Sequence, residues 1–250
     1  MYHVCTLGFS FLGLLFQGVT VHAEDQSQQI LSRALEAHGA QKLAKYPAAT
    51  WKGKGVIHLT GMRIPFTGEW ASAGLDKMRI ELQMEIGGDK LRVVNIYDGK
   101  MGWTVFGEEV NDFDDEALAE MKELTHVNWA QNLHPLKDPS YKLTEVPGIQ
   151  FEGKALVGFK VSRAGFRDFT FYFDAKSNLL VKCTCQVRDE ETREFVTQEE
   201  FYGKYEIVSG IKIPMSLRIK RGSKEFLEAD TTTFTPQENL DGKLFQKPGK

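Results

Sequence analysis

Apolar and polar residues alternate along most of the chain beyond Thr50, and this period of two is typical of strands with one buried face. The clearest run is 77–86, where every second residue from Met78 to Ile86 is apolar and every intervening residue is charged or polar. Turn signals such as Gly87-Gly88 separate the runs. Counting the runs between turns predicts about ten antiparallel strands, joined mostly in sequence order.

One helix is predicted ahead of these strands. Asp25 and Gln28 have the spacing of a capping box, apolar residues recur at helical spacing over 30–37, and Gly39 provides a stop. We expect His38 to lie in the last turn of this helix, where a cation suits the helix dipole.

The helical period returns once, between Asp112 and His134, before Pro135 and Pro139 end it. This segment is predicted to be a pair of short helices inserted between strands. Since a two-residue turn is enough to join neighbouring strands, such an insertion is either a cover for the sheet or a moving lid.

A sheet of about ten strongly twisted strands curls upon itself, so its concave apolar face must be covered by other parts of the chain. The two helical segments are available for this. If they fill the interior, the chain has an ordinary core, and if they fill it in part, an apolar cavity remains. The large, flexible or aromatic candidates for the inner wall are Phe66, Trp70, Met78, Leu82, Met84, Trp103, Met121 and Trp129. Both interpretations stay open here, because such side chains also pack as plain core.

Residues 1–23 differ from the rest of the chain because they contain no Asp, Glu, Lys or Arg. Their apolar run ends at Val21-His22-Ala23, which resembles a small-x-small cleavage site directly before Glu24. We interpret 1–23 as an export signal peptide. An uncleaved membrane anchor is the alternative, because the positive start typical of a signal peptide is missing. Residues 24–250 are expected to form a single domain.

Composition excludes several classes of protein. The chain has 250 residues, 42% of them hydrophobic, so it is neither a disordered chain nor a small protein held together by disulfides. Its net charge of -3 provides no attraction for a nucleic-acid backbone. Cys183 and Cys185 lie two apart on a predicted strand and hence on one face. They are small buried apolar residues, a strained disulfide or half of a metal site.

Motifs for catalysis or metal binding are scarce. The chain beyond residue 23 has no Gly-x-Ser-x-Gly, phosphate-binding loop, His-Glu-x-x-His or Cys-x-x-Cys motif. His126 and His134 are too far apart for a metal pair on one helical turn. The acidic residues within 112–116 are explained better by helix capping than by calcium binding. We therefore expect no enzymatic activity, no cofactor and no metal.

Several short motifs follow one another along nearly the whole chain beyond residue 24. They are Ala34-Leu35-Glu36-Ala37-His38-Gly39-Ala40, Pro65-Phe66-Thr67-Gly68-Glu69-Trp70, Asp98-Gly99-Lys100 with Gly102-Trp103, Pro135-Leu136-Lys137-Asp138, Tyr172-Phe173-Asp174 and Gly210-Ile211-Lys212-Ile213-Pro214. In this order they resemble the LolA-like superfamily of exported lipoprotein-carrier proteins, and in particular the group of outer-membrane lipoprotein-sorting proteins.

The resemblance implies a mainly β (α+β) fold, an incomplete antiparallel β-barrel wrapped on the N-terminal helix and a central helical lid. In carrier members the apolar cavity of this barrel holds lipoprotein acyl chains. The predicted wall and lid of the cavity here are Phe66, Trp70, Met78, Ile80, Leu82, Met84, Trp103, Leu118, Met121, Trp129 and Leu133. An arginine helps to hold the lid closed in carrier members, but Arg63, Arg79 and Arg92 lie in predicted strands without a distinguishing motif.

The function implied is that of an exported, non-enzymatic protein of the periplasm or cell envelope. It is expected to be a monomer that binds acyl chains of lipids or lipoproteins, contacts membranes transiently and serves outer-membrane lipoprotein sorting. The alternative is a structural or sensor protein of the same fold, whose filled core leaves the outer surface to bind an envelope protein partner.

Overall fold

The structure is a computed structural model that describes residues 26–189 and 192–249. Its helices are α1 (Gln26–His38), α2 (Ala40–Leu43) and α3 (Asp115–Ala130), with 3-10 turns at His134–Lys137 and Gly242–Phe245. The predicted signal segment 1–23 and the predicted cap at Asp25 lie outside the described residues. Gly39 ends α1 as expected, because its φ of 95° is a left-handed conformation that favours glycine. Across the described part of the chain, no helix is both long and apolar enough to cross a membrane.

Thirteen antiparallel strands form one sheet within these residues. They are β1 (Ala48–Leu59), β2 (Met62–Ala73), β3 (Lys77–Ile86), β4 (Asp89–Tyr97), β5 (Gly102–Phe106), β6 (Glu109–Asp112), β7 (Tyr141–Phe151), β8 (Lys154–Arg163), β9 (Phe169–Asp174), β10 (Leu180–Arg188), β11 (Phe195–Val208), β12 (Ile211–Arg221) and β13 (Lys224–Gln237). Their order is β6-β5-β4-β3-β2-β1-β13-β12-β11-β10-β9-β8-β7, so neighbours in the sheet are neighbours in sequence except where β1 pairs with β13.

The predicted incomplete antiparallel barrel is confirmed, with more strands than the sequence pattern indicates. β5 and β6 are only 5 and 4 residues long. Each contains barely two periods of alternation, which is too little for recognition from the pattern. β6 and β7 form the two edges of the sheet, and α3 joins them in the chain. The helix therefore leads from one edge of the sheet to the other.

Alternation along the strands separates an outer from an inner face, and the inner face carries α1 and α3. On the outer face of β3 and β4, Arg79 and Arg92 both bind Glu81, with N to O distances of 2.9 and 2.7 Å. The hydrogen bond from Arg92 holds the pKa of the Glu81 carboxyl below its ordinary value. Both arginines thus form ion pairs with Glu81 on the outer face of the sheet, and the side chain of Arg63 is exposed.

α1 closes the inner face of the strands from β7 to β12. Its buried side chains Ile30, Leu31, Ala34 and Leu35 join the largest apolar cluster of the described residues. Four phenylalanines of β8 and β9 lie in the same cluster, each at most 2% exposed: Phe159, Phe169, Phe171 and Phe173. Burying one such side chain stabilises a fold by about 1.5–3 kcal/mol. This half of the sheet is therefore a conventional core.

His38 lies in the last turn of α1 as predicted, but it is not the cation that the helix dipole would favour. Burial lowers its pKa to about 4, so the ring is neutral at pH 7. Its Nδ1 lies 2.7 Å from the carbonyl oxygen of Ala34 and donates to it, while the N–H of Leu180 donates to Nε2 at 3.4 Å. The ring of Tyr205 packs edge-on against it. His38 thus joins α1 to β10 and β11 as a neutral group.

The predicted pair of short helices is instead the 16-residue helix α3 followed by the 3-10 turn at His134–Lys137. The carboxylate of Asp114 caps α3, accepting from the N–H of Ala117 at 2.7 Å. Leu133, which is fully buried, has φ 60° and ψ -36° and so breaks the helical path. Pro135 falls in the first positions of the 3-10 turn, where its missing N–H costs nothing.

A smaller apolar cluster on the outer face holds the C-terminal tail. Phe245 is 1% exposed and packs against Ala71, Val94, Ile96 and Trp103. The neighbouring Leu244 stays exposed. The prediction of Trp103 as cavity wall is wrong, because Trp103 is paired with Ile96 of β4 and so points to the outer face.

Candidate functional site

A cavity of about 430 Å³ lies between α3 and the inner face of the sheet, within the range usual for small-molecule sites. One wall comes from Ile80, Asn95 and Thr104 of β3 to β5, and the opposite wall from Cys185, Val187, Gln198, Glu200 and Arg221 of β10 to β12. These two groups of strands lie on opposite sides of β1 and β13 in the sheet order. The sheet must therefore curl until its two flanks face each other below α3.

One side of α3 packs against the inner face of the sheet through apolar contacts. Met121 is 8% exposed and forms a cluster with Met78 and Tyr97. Leu118, one helical turn before Met121, packs against the same cluster, as do Ile80 and Phe113. This contact sets the distance between the helix and β3 and β4, and so the height of the cavity.

The other side of α3 is acidic and is held by arginines from two loops. Glu116, Glu120 and Glu123 recur at positions i, i+4 and i+7, which places them on one face of the helix. Arg167, between β8 and β9, binds Glu120 at 2.9 Å and also forms an ion pair with Glu123 at 3.8 Å. Its backbone N–H donates to Glu123 as well.

The hairpin between β10 and β11 completes this contact. Arg188 forms an ion pair with Glu116 at 3.1 Å, and Arg193 reaches the other oxygen of the same carboxylate. We call these pairs the helix latch: Glu116, Glu120 and Glu123 with Arg167, Arg188 and Arg193. Because the paired side chains are mostly a quarter to a half exposed, each pair contributes only about 0–1 kcal/mol.

A buried carboxylate lies at the polar end of the cavity. Glu200, which is 5% exposed, accepts hydrogen bonds from Tyr202, from Nε2 of Gln198 at 2.8 Å and from Nε2 of Gln131 at 3.5 Å. Burial raises the pKa of this carboxyl, and the nearby charge of Arg221 opposes the shift to a smaller extent. Nε of Arg221 donates to Oε1 of Gln198 at 3.0 Å.

Aromatic rings continue the inner face beyond the cavity, over the strands β13, β1 and β2. The rings of Trp51 and Trp70 are stacked with their centroids 6.0 Å apart, and Phe234 stacks on the far side of Trp51 at 6.2 Å. The ring of Trp70 lies flat over its own strand, since a Cβ at Gly68 would stand 2.3 Å from it. Glycine is required at position 68 for this close approach.

Aliphatic side chains extend the same surface toward the edge of the sheet. Leu82 is paired with Val93, and Val93 in turn with Phe106, so that the three share one face. Phe106 is 50% exposed. We call the inner surface of these strands the apolar trough, and it consists of Trp51, Phe66, Trp70, Ile80, Leu82, Met84, Val93 and Phe106. Most of its members are half-buried, and Ile80 belongs to both the trough and the cavity.

The structure brings most of the predicted wall residues to one face. Ile80 and Met121 line the cavity, and Met78 and Leu118 pack beside it. Phe66, Trp70, Leu82 and Met84 belong to the trough. Leu133 lies instead in the core beneath α1, and Trp129 is half-buried on α3. With Trp103 on the outer face, three of the predicted residues lie away from the cavity and the trough.

Sequence reasoning missed the polar residues of the site. The latch arginines lie in or next to loops, where no periodic pattern marks them, and Glu200 occupies an inner position of β11 that the pattern would assign to an apolar side chain. The one available signal is the spacing of Glu116, Glu120 and Glu123 on α3, which predicts a row of cationic partners.

Cys183 and Cys185 are free, buried thiols on the inner face of β10. Burial raises the pKa of the Cys183 thiol well above its ordinary value, so it stays protonated and behaves as a small apolar residue. Cys185 lines the cavity. In the part of the chain that the structure describes, no cluster of three His, Cys, Asp or Glu side chains could hold a metal ion.

Comparisons with known proteins show the fold. No protein-family model and no curated protein matches the chain in sequence. A DUF1329 family protein from Desulfovibrio piger matches in structure with a TM-score of 0.57 and 12% identity, over 89% of this chain and 98% of that chain. A LolA superfamily protein from Nitrosomonas europaea matches with a TM-score of 0.56 and 10% identity, over 88% of this chain and 97% of that chain.

A third solved structure is a domain from Vibrio parahaemolyticus described as an outer membrane lipoprotein-sorting protein. It matches with a TM-score of 0.55 and 11% identity, over 87% of this chain and 97% of its own. At such low sequence identity, these structural similarities show the fold alone. The open sheet, the inner helices and these comparisons together show that the chain has the fold of LolA superfamily proteins.

Proposed function

We propose that this protein is an exported, non-enzymatic carrier of the periplasm or cell envelope that holds an acyl chain of a lipid or lipoprotein on its inner face. The observation that carries the proposal is the apolar trough, which leads into the cavity below α3. Most of its side chains are only half-buried, although they lie on the concave face of a curled sheet. Apolar surface of this kind is expected where a ligand completes the packing.

The physical basis of binding would be the removal of methylene groups from water. Each buried methylene stabilises the complex by about 0.8 kcal/mol, so a few methylenes more or less change the affinity strongly. Trp51 and Trp70 offer flat apolar surface to such a chain, and Met84 adapts to its shape because its side chain is flexible.

Release would require α3 to move away from the sheet. The helix is held by modest ion pairs on one side and by the Met121 cluster on the other, so separating it costs little compared with unfolding the core. A receiving partner in lipoprotein sorting would take the chain once α3 has moved.

The test has two parts. Mass spectrometry of protein purified without detergent should find a co-purified lipid, and a fluorescent fatty alcohol should bind saturably. An uncharged alcohol is chosen so that burial of the chain is measured apart from any preference for a head group. Absence of both the lipid and saturable binding would contradict the carrier and favour the alternative, an envelope protein that binds a protein partner.

A further inference from the structure

We propose that the ligand carries a cationic amine, and that this amine binds in the cavity beside Glu200 while the chain extends along the trough. This inference rests on the proposed function and names the chemical class of its ligand. It starts from the polar end of the cavity, which burial of an acyl chain does not explain.

Glu200 is the first observation. The carboxylate is nine-tenths or more buried and borders the cavity, and the hydrogen bonds it accepts within the described residues come from uncharged groups, the hydroxyl of Tyr202 and the amides of Gln198 and Gln131. Keeping a carboxylate ionised in such a place is costly unless a cation lies beside it. The charge of Arg221 lies nearby and offsets the burial of Glu200 only in part, and Nε of Arg221 donates to Gln198 instead. A ligand amine in the cavity would supply a second cation and donate to Glu200 directly.

The charge of the whole cavity lining is the second observation. Among the described residues, the lining has seven carboxylates, on Asp114, Glu116, Glu120, Glu123, Asp168, Asp189 and Glu200, and four guanidinium groups, on Arg167, Arg188, Arg193 and Arg221. Three of these arginines bind the acidic face of α3 in the helix latch, and Lys160, outside the lining, binds Asp168 at 3.0 Å. Carboxylates still outnumber these cations, so the lining attracts a cation and opposes the carboxylate of a fatty acid.

The shape of the site is the third observation. The cavity lining runs from Ile80, which belongs to the trough, to Glu200 on the opposite flank of the sheet. A single amphiphile can therefore place its amine at Glu200 and its chain over the trough.

Three ligands of equal chain length test the inference: dodecylamine, dodecanol and laurate, titrated by calorimetry below their micelle concentrations. We expect dodecylamine to bind at least tenfold more tightly than dodecanol, and laurate to bind more weakly than dodecanol. Glu200→Gln should lower the affinity for dodecylamine to that for dodecanol when both are measured on this variant. The matched control is Glu199→Gln, whose carboxylate points to the other face of β11 and binds Lys182.

Each outcome decides. Equal binding of the three ligands, tighter binding of laurate, or a preference for the amine that survives in Glu200→Gln would overturn the inference and leave the acyl-chain carrier standing. Failure of all three ligands to bind would overturn both. Circular dichroism checks the fold of the variant, and if Glu200→Gln does not fold, the order of the wild-type affinities decides by itself.

Discussion

The two halves of the inner face are built differently. From β7 to β9 and over the adjoining parts of β10 to β12, α1 and four phenylalanines form a closely packed core, which we call the filled half, and Phe159, Phe171 and Phe173 are fully buried. The cavity borders this half at Cys185 and Glu200. From β1 to β5, comparable apolar side chains such as Trp70, Leu82 and Met84 are only half-buried. The same period-two pattern thus produces a core in one half and an accessible trough in the other, and the difference lies in which helix covers each half.

This difference separates stability from binding. We expect substitutions in the filled half to act on the free energy of unfolding, and substitutions in the trough to act on ligand affinity. The cavity below α3 lies where the two halves face each other. Each substitution proposed below acts on one half, or on the contacts of α3, and should leave the rest of the molecule unchanged.

The largest effect is expected from Phe171→Ala, in the filled half. Removing a fully buried phenylalanine leaves a cavity and should lower the free energy of unfolding by about 3–5 kcal/mol, measured by urea denaturation. Phe106→Ala in the trough is the matched control and should cost less than about 1 kcal/mol, since Phe106 is half-exposed. Similar losses in the two variants would show that the halves do not differ.

The second prediction is that acid lowers the free energy of unfolding through a buried histidine of the filled half. The ring of His126 is fully buried against Tyr141, Phe166 and Phe169, and its nitrogens have no hydrogen-bond partner among the described residues. Burial lowers its pKa from 6.5 to about 4. Between pH 6.5 and pH 4, the unfolded chain binds a proton at this ring and the folded chain does not. The free energy of unfolding is therefore highest above pH 6.5 and falls as the pH drops toward 4.

From this group alone, the free energy of unfolding at pH 5 should be about 2 kcal/mol lower than at pH 7.5. His126→Phe, which suits the surrounding rings, should remove that part of the loss. His38 contributes a fall of the same sign in both proteins and serves as the shared background. Parallel pH profiles for the wild type and His126→Phe would contradict the prediction.

Met84→Glu should act on the trough and spare the core. A charge on this half-buried position can turn toward water, so we expect a folded protein whose free energy of unfolding falls by no more than about 1 kcal/mol. Binding of the fluorescent fatty alcohol should weaken at least tenfold, because a buried chain would desolvate the carboxylate. Gln83→Glu, on the exposed outer face of the same strand, is the control. Unfolding of Met84→Glu would favour a filled interior instead.

The smallest effect is expected at the helix latch. Arg167→Gln removes the pairs with Glu120 and Glu123, and should cost about 0–1 kcal/mol of stability because these groups are partly exposed. Amide hydrogen exchange in α3 should nevertheless accelerate, while exchange in β8 and β9 stays unchanged. Arg218→Gln, which breaks the surface pair with Glu152, is the control. Unchanged exchange in α3 would show that the latch does not hold the helix.

Long strands were predictable from the sequence and short ones were not. The ten residues of β3 contain enough alternation to assign Met78, Ile80, Leu82 and Met84 to one face, and the structure agrees. β5 has five residues, and its face is set by pairing with β4. Trp103 was therefore assigned to the wrong side of the sheet.

The polar half of the site depends on contacts between distant parts of the chain. Glu116 and Arg193 meet only after the sheet has curled. The row of glutamates on α3 predicts cationic partners, but nothing in the local sequence identifies Arg193 as one of them. Likewise, the burial of Glu200 follows from the position of α3 above β11. Periodicity describes single elements, whereas these features arise from the way the elements pack.

The central claim is that the ligand binds in the trough and below α3. Amide hydrogen exchange measured with and without saturating dodecanol tests it most directly. The account predicts slower exchange in β2 to β4 and in α3 on binding, with β7 to β9 unchanged because that half is already packed. Unchanged exchange in β2 to β4, or protection confined to β7 to β9 or the outer face, would contradict it.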